Sequence, residues 1–267
     1  MPEDLSPFTR SNRDLWNATS EEYQRDHHAE LEDDVLWGPS MPPETILQVL
    51  GPSVAGKDVL EIGCGGGQCS VYLAEKGARA VGVDLSSKQL EHARRFAEER
   101  RVDVRFVESN AEDLSMFADA SFDLVFSAYA LGFVQDIGRT FREAFRVLRP
   151  GGLFAYSWSS PFYVCVTRDP DGTLRVTRSY FDRNPIVSAE KEGREVDFYR
   201  TYGDWLRFLV EAGFVVTDLL EPEPLPQENT YRDVFPMDQI RQVPGTIIWQ
   251  ARKPEGAARL LATAHPI

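Results

Sequence analysis

LEIGCGGGQCS, residues 60–70, closes an apolar run on an acidic residue and follows it with four glycines in five positions from Gly63. Between a strand and a helix, so bare a turn lets a ligand rest on main chain. It also leaves the helix N-terminus open, where free N–H groups and the dipole attract anions. A dinucleotide fingerprint, G-x-G-x-x-G, would need its third glycine for close helix packing. The sixth residue counted from Gly63 is Gln68, and from Gly65 it is Ser70, so that fingerprint fails and E-x-G-x-G-x-G from Glu61 to Gly67 remains.

Downstream, short apolar runs alternate with amphipathic stretches, the pattern of a parallel sheet carrying helices on both faces. Strands are predicted at Asp58–Ile62, Ala80–Asp84, Val104–Val107, Phe122–Ser127 and Leu153–Ser157. Helices fall between them: Gln68–Lys76 stopped by Gly77, one capped by Ser86 with Leu90, Ala93 and Ala97 on one face, and one striped by Ile137, Phe141, Phe145 and Leu148. Pro150-Gly151-Gly152 reads as a break before the fifth strand. A last helix, Asp204–Ala212, with Thr201 and Asp204 as a capping box and Gly213 as its stop, leads to strands at Val215–Leu219 and Thr246–Ala251.

On these motifs the sequence resembles the class I S-adenosylmethionine-dependent methyltransferases. VGVDLS (81–86), SNAEDL (109–114), FDLVFSAYAL (122–131) and RVLRPGGLFAYS (146–157) are similar, in order, to the segments that follow that family's glycine turn. Asp84 stands 21 residues past Gly63, close to the offset of about 20 at which dinucleotide folds place a ribose-binding acid. The resemblance implies a Rossmann-like α/β fold with a seven-stranded sheet, helices on both faces and the last strand antiparallel. It implies S-adenosyl-L-methionine as cofactor and S-adenosyl-L-homocysteine as product. The expected organisation is an N-terminal helical cap (1–57), a cofactor-binding core (58–157), a lid insertion after strand five (158–203), the rest of the core (204–253) and a tail (254–267). Within the insertion, YVCVTR and TLRVTRSY flank DPDG, a hairpin signal.

Carried over residue by residue, the resemblance assigns Asp84 to the ribose hydroxyls and Leu85 to the adenine face. Asn110, Ala111 and Glu112 fall to the adenine edge, and Gly63, Cys64 and Gly65 to the methionyl part. Glu61 and Ser127 fall to its amine, and Tyr23 to its carboxylate. Local structure offers other uses for some of these: Asp84 and Ser86 can cap a helix, Asn110 can make a turn, and Ser127 can be an ordinary strand-end hydroxyl.

A sulfonium methyl is already activated, so catalysis consists mainly of aligning an acceptor and removing water. A proton-accepting side chain helps by about 10² to 10⁴ where the acceptor carries a proton. His27 and His28, in EEYQRDHHAEL, together with Tyr23 and Tyr129, are the candidates for that role; His27 lies four positions after Tyr23 and shares its helical face. The same segment also reads as a solvated, charge-rich helix. Tyr129, Phe133, Trp158, Phe162, Tyr163, Tyr180, Phe181, Tyr199 and Tyr202 make the loop after strand four and the insertion aromatic, which suits an apolar or planar acceptor.

Composition narrows the partners. Asp and Glu number 42 against 29 Lys and Arg, a net charge of -13, which opposes nucleic acid and anionic lipid. The chain lacks an export signal and an apolar run long enough to span a membrane, and its three cysteines show no metal or disulfide spacing, so a cytoplasmic protein is expected, monomeric or homodimeric, without a metal. The leading expectation is methyl transfer to oxygen, nitrogen or carbon of a small organic acceptor. The rivals are a cofactor-binding protein of the same fold that does not transfer methyl, a protein or tRNA methyltransferase, and, more remotely, a nicotinamide oxidoreductase.

Overall fold

A computed structural model describes residues 5–226 and 235–256. Seven strands form the central sheet: β1 (Asp58–Ile62), β2 (Arg79–Asp84), β3 (Arg105–Glu108), β4 (Phe122–Ser127), β5 (Leu148–Ser159), β10 (Val215–Leu220) and β11 (Thr246–Arg252). Their order across it is β10-β11-β5-β4-β1-β2-β3. β1 pairs in parallel with both β2 and β4, so the chain reverses its direction of travel at β1 and a crevice opens beyond the carboxyl ends of these strands. β11 is antiparallel to both of its neighbours.

Helices cover the sheet because their apolar stripes must be buried. These are α3 (Gln68–Glu75), α4 (Ser87–Arg100), α5 (Ile137–Val147) and α6 (Tyr202–Ala212), joined by the short α2 (Glu44–Leu47) and α7 (Met237–Ile240). Phe141 of α5 meets Phe154 and Tyr156 of β5 at ring separations of 5.3 and 5.2 Å, and Trp205 of α6 lies 5.3 Å from Tyr156. Each such ring removed from water contributes about 1.5–3 kcal/mol. Thr201 and Asp204 exchange the capping-box bonds, and the helix begins at Tyr202 rather than at Asp204.

α1 (Pro7–Leu31) is much longer than the segment read from sequence around 21–31. Ser6 caps it through the Thr9 N–H at 3.1 Å and Pro7 pre-sets its first turn, signals masked by the weak helix formers Asn17, Thr19 and Ser20. Three smaller departures have local causes. Residues 44–50 look helical in sequence, with Pro43 suited to a first turn, but the helix stops at Leu47 because Gln48 adopts a left-handed conformation. Leu148 leaves α5 with extended backbone and opens β5. Pro150-Gly151-Gly152 therefore lies inside that strand, next to the register shift between Phe122 and Leu124 in its pairing with β4, instead of breaking the chain.

Between β5 and α6 stand two hairpins, β6 (Val166–Arg168) with β7 (Leu174–Val176), and β8 (Ile186–Glu190) with β9 (Gly193–Asp197). The second had no sequence signal, since Lys191-Glu192 is not a typical hairpin turn pair. Asn12 of α1 fastens it: its amide donates to Val196 O at 2.9 Å and to Phe133 O at 3.2 Å, and accepts from Val196 N at 2.8 Å. No described helix is long and apolar enough to cross a membrane. The tail beyond residue 256, with His265, lies outside the described residues.

Candidate active site

The crevice at the switch between β2, β1 and β4 deepens into a cavity of about 630 Å³, roofed by α1 and the β8–β9 hairpin. That is within the range of about 300–1,000 Å³ usual for small-molecule sites. At one end is the glycine turn. Gly63 has φ +75°, and a Cβ there would lie 2.4 Å from that of Ala130; Gly65, at φ +51°, would carry its Cβ into open space within the cavity wall. These two positions explain why the turn is bare: one lets the loops after β1 and β4 touch, and the other leaves main chain exposed to a ligand.

Asp84 ends β2 at the same place. Its Oδ2 accepts from Gly65 N and its Oδ1 from Ser86 N, both at 2.8 Å, so the carboxylate braces the turn and holds Ser86, the residue that caps α4, while keeping lone pairs for a ligand. Burial raises its pKa against the opposing pull of these N–H groups. Leu85, Asn110, Ala111, Glu112 and Cys64 line the adjoining wall. Asn110 Oδ1 accepts from Glu112 N at 3.2 Å, a turn bond, and Glu112 accepts from Asp136 N at 2.9 Å, tying this wall to α5. Burial pushes the Cys64 thiol well up, which removes it as a nucleophile.

Glu61 reaches the cavity floor, accepts from Ser70 Oγ at 2.5 Å, and is pushed up to about 8 by burial. The folded chain thus holds a proton on Glu61 that the unfolded chain releases near 4.5. Stability should decline as pH rises between those values, because over that window the native state binds more protons. Glu61→Gln is expected to shrink the drop in urea midpoint between about pH 5 and about pH 8 without removing it, since Glu44, also raised by burial, acts in the same direction. An unchanged drop would show that Glu61 is ionised throughout.

The other end of the cavity is aromatic. Tyr129, Trp158, Phe133, Trp16, Tyr23 and His27 form a continuous run of ring contacts with centroid separations of 4.7–5.8 Å. Tyr129 holds φ +57°, rare for a bulky residue, at the tip of β4. Of the nine aromatics expected at the acceptor wall, Tyr129, Phe133 and Trp158 line the cavity, and Phe235 joins them from a distant segment. Phe162 and Phe181 face solvent, and Tyr199 is spent on Tyr180 O.

Three candidates need correction. His28 is turned about one hundred degrees around α1 from His27; it packs on Phe96 at 4.5 Å and bonds Gln68, facing a separate groove with His92. Ser127 is fully buried and does not line the cavity, which is bounded there by Ala128. Tyr129 shares a hydrogen bond with Ser159 at 2.9 Å, and burial pushes its pKa further up, so it is no base near neutrality. The sequence reading missed Glu190, Glu195 and Asp197, which line the cavity from the second hairpin. Glu195 and Asp197 flank a buried valine at a spacing of two, the strand signature that would have paired them on one face. Among the described residues no cluster fit for a metal ion occurs.

Known proteins agree with this arrangement. Residues 60–156 match the family described as "Methyltransferase domain". An uncharacterized methyltransferase of Bacillus subtilis, YbaJ, is 30% identical over 64% of this chain and 70% of its own. A ubiquinone biosynthesis O-methyltransferase of Pseudomonas fluorescens is 33% identical over 63% of this chain and 68% of its own. Among solved structures, a putative S-adenosylmethionine-dependent methyltransferase from Listeria monocytogenes superposes with a TM-score of 0.67 at 25% identity, over 79% of this chain and 96% of that one. Strand order and kinship thus lead to one conclusion: the chain belongs to the class I S-adenosylmethionine-dependent methyltransferases.

Proposed function

We propose that the enzyme transfers the methyl group of S-adenosylmethionine to oxygen, nitrogen or carbon of a small organic acceptor seated against the aromatic wall. The observation that carries this reading is the continuity of the cavity, which runs from the glycine turn past Asp84 to Trp158 and Phe133 and leaves room beyond the cofactor end. A binder that had lost transfer would have its lid collapsed on the cofactor with no free volume beside the methyl, which the continuation of the cavity to the aromatic wall speaks against.

The residues fit the cofactor. The open approach at Gly65 receives the methionyl part, and the spare lone pairs of Asp84 take the ribose hydroxyls. Leu85 packs on the adenine face, with Asn110 and Ala111 at its edge. Glu61 draws the ammonium group, whose charge would bring its raised pKa back down. Tyr23, which lines the cavity from α1, is assigned the cofactor's carboxylate. When bound, the cofactor supplies an electrophilic methyl; the chain's own contribution is to hold the acceptor in line and keep water out. His27 is the remaining histidine in reach of that space.

Incubating the protein with methyl-labelled cofactor and cell extracts, then separating products by size, tests the proposal. Label in low-molecular-weight material is the expected result. Label confined to protein or RNA would overturn it.

A further inference from the structure

The charge of the cavity is one-sided. Among the described residues, Glu61, Asp84, Glu112, Glu190, Glu195 and Asp197 line it, and no lysine or arginine does. The first three stand at the glycine-turn end. The last three come from the β8–β9 hairpin, beside the aromatic wall.

Asp197 is the best placed of these. The residue before it is clasped by Asn12 through both main-chain groups, and the residue after it donates from Phe198 N to Gly132 O at 2.8 Å. The side chain between is therefore held over the turn that follows β4. Its Oδ1 is buried without a hydrogen-bond partner, an expensive state for a carboxylate unless a ligand completes it. The charges around it come from every neighbouring element. Arg200, Arg178 and the Trp158 N–H favour its ionised form and Glu195 opposes it. Arg200 is itself engaged by the carbonyls of Phe198, Val134 and Gln135. Glu190 from β8, Tyr129 after β4, and Tyr23 and His27 from α1 complete the titratable groups on this part of the cavity. Burial pushes both Asp197 and Glu195 up to about 7, outweighing the opposing pull of the two arginines on Asp197.

We propose that Asp197, with Glu195 beside it, anchors a protonated nitrogen on the acceptor, so that the enzyme selects planar or apolar amines over carboxylates, phosphates and neutral hydroxyl compounds. This rests on the small-acceptor reading above. The flanking rings add to it, since Trp and Tyr faces attract cations. A carboxylated acceptor would meet like charge on the cavity surface itself, where no described lysine or arginine is exposed to it, in a low-dielectric wall where that repulsion is strong.

The test uses protein saturated with S-adenosylhomocysteine and a matched set of probes: tryptamine, tryptophol and indole-3-propionate, with the naphthyl and phenyl equivalents, followed by calorimetry. The amines are expected to bind about tenfold or more tighter than their isosteres, as loss of a buried charge pair implies. Their affinity should rise with pH through about 7 as the two carboxylates ionise. Asp197→Asn, which keeps the shape, should abolish the preference, and Glu195→Gln should reduce it, while both leave affinity for adenosylhomocysteine and adenosylmethionine unchanged. Equal binding across the classes, no binding by any probe, or a preference that survives Asp197→Asn would overturn the proposal. So would weaker binding of adenosylmethionine alone in Asp197→Asn, which would mean that the carboxylate faces the sulfonium. In the labelled-extract assay, a methylated small molecule without basic nitrogen sinks this inference only, whereas methylated macromolecule sinks the small-acceptor reading itself.

Discussion

Replacing Asp84 by alanine is expected to weaken S-adenosylhomocysteine binding by about a hundredfold or more. Two ribose hydroxyls donating to one carboxylate are charge-assisted bonds of about 1.5–3 kcal/mol each where water is excluded. The same oxygens hold Gly65 N and Ser86 N, so the variant also frees the glycine turn and leaves the main chain of Ser86, the cap residue of α4, without its acceptor. That second loss should appear as a destabilisation of about 1–3 kcal/mol, the usual cost of leaving such donors unpartnered away from water. Asp84→Asn separates the effects. The amide oxygen can still accept from one of the two main-chain N–H groups while the other is left facing the amide NH2, so stability should return only in part while affinity, with the charge gone, stays low. Calorimetry and urea unfolding on the pair of variants check both parts, and unchanged affinity in Asp84→Ala would remove the ribose assignment.

The second large effect is expected at the other end of the cavity. A Cβ on Gly132 would stand 1.8 Å from the Trp158 ring, which is packed between Tyr129 at 4.9 Å and Phe133 at 4.8 Å. The ring cannot retreat without moving its neighbours, so Gly132→Ala must displace the aromatic wall, on which the proposed acceptor would rest. Overpacking of this kind costs about 1–3 kcal/mol in stability. A displacement near 1 Å can cost about a hundredfold in transfer rate. Cofactor affinity should stay within about twofold of the parent, since the glycine turn and Asp84 are untouched. Single-turnover methylation of the acceptor found in the extract assay, alongside calorimetry with adenosylhomocysteine, separates these quantities. Parallel loss of both would mean that the two ends of the cavity are one mechanical unit.

The cofactor half was legible in sequence because its chemistry is local. Each residue there sits on a strand tip or the turn beyond it, and strand tips can be located from apolar runs and glycines alone. Asp84 and Leu85 line the cavity from the end of β2, as the pattern VGVDLS implied. The acceptor half depends on long-range packing that no local pattern encodes. Whether Tyr129 or Tyr199 faces the cavity is decided by which neighbour takes its hydroxyl, Ser159 in one case and Tyr180 O in the other. His27 and His28, adjacent in sequence, diverge because α1 lies with one side over the cavity and the other on α4. Acidic side chains on a hairpin are ordinarily solvated, so the spacing of Glu195 and Asp197 pairs them on one face without telling that the face is turned inward; the approach of Asn12, 184 residues from Val196, does that.

That clasp bears on any attempt to retarget the enzyme. Swapping the 158–203 segment for one from another methyltransferase would leave Asn12 behind in the first helix, and because that amide bonds main chain alone it can receive a foreign strand of any side-chain composition. Grafts will therefore have to match length and register rather than sequence at this point, so that the residue replacing Val196 arrives opposite the waiting amide.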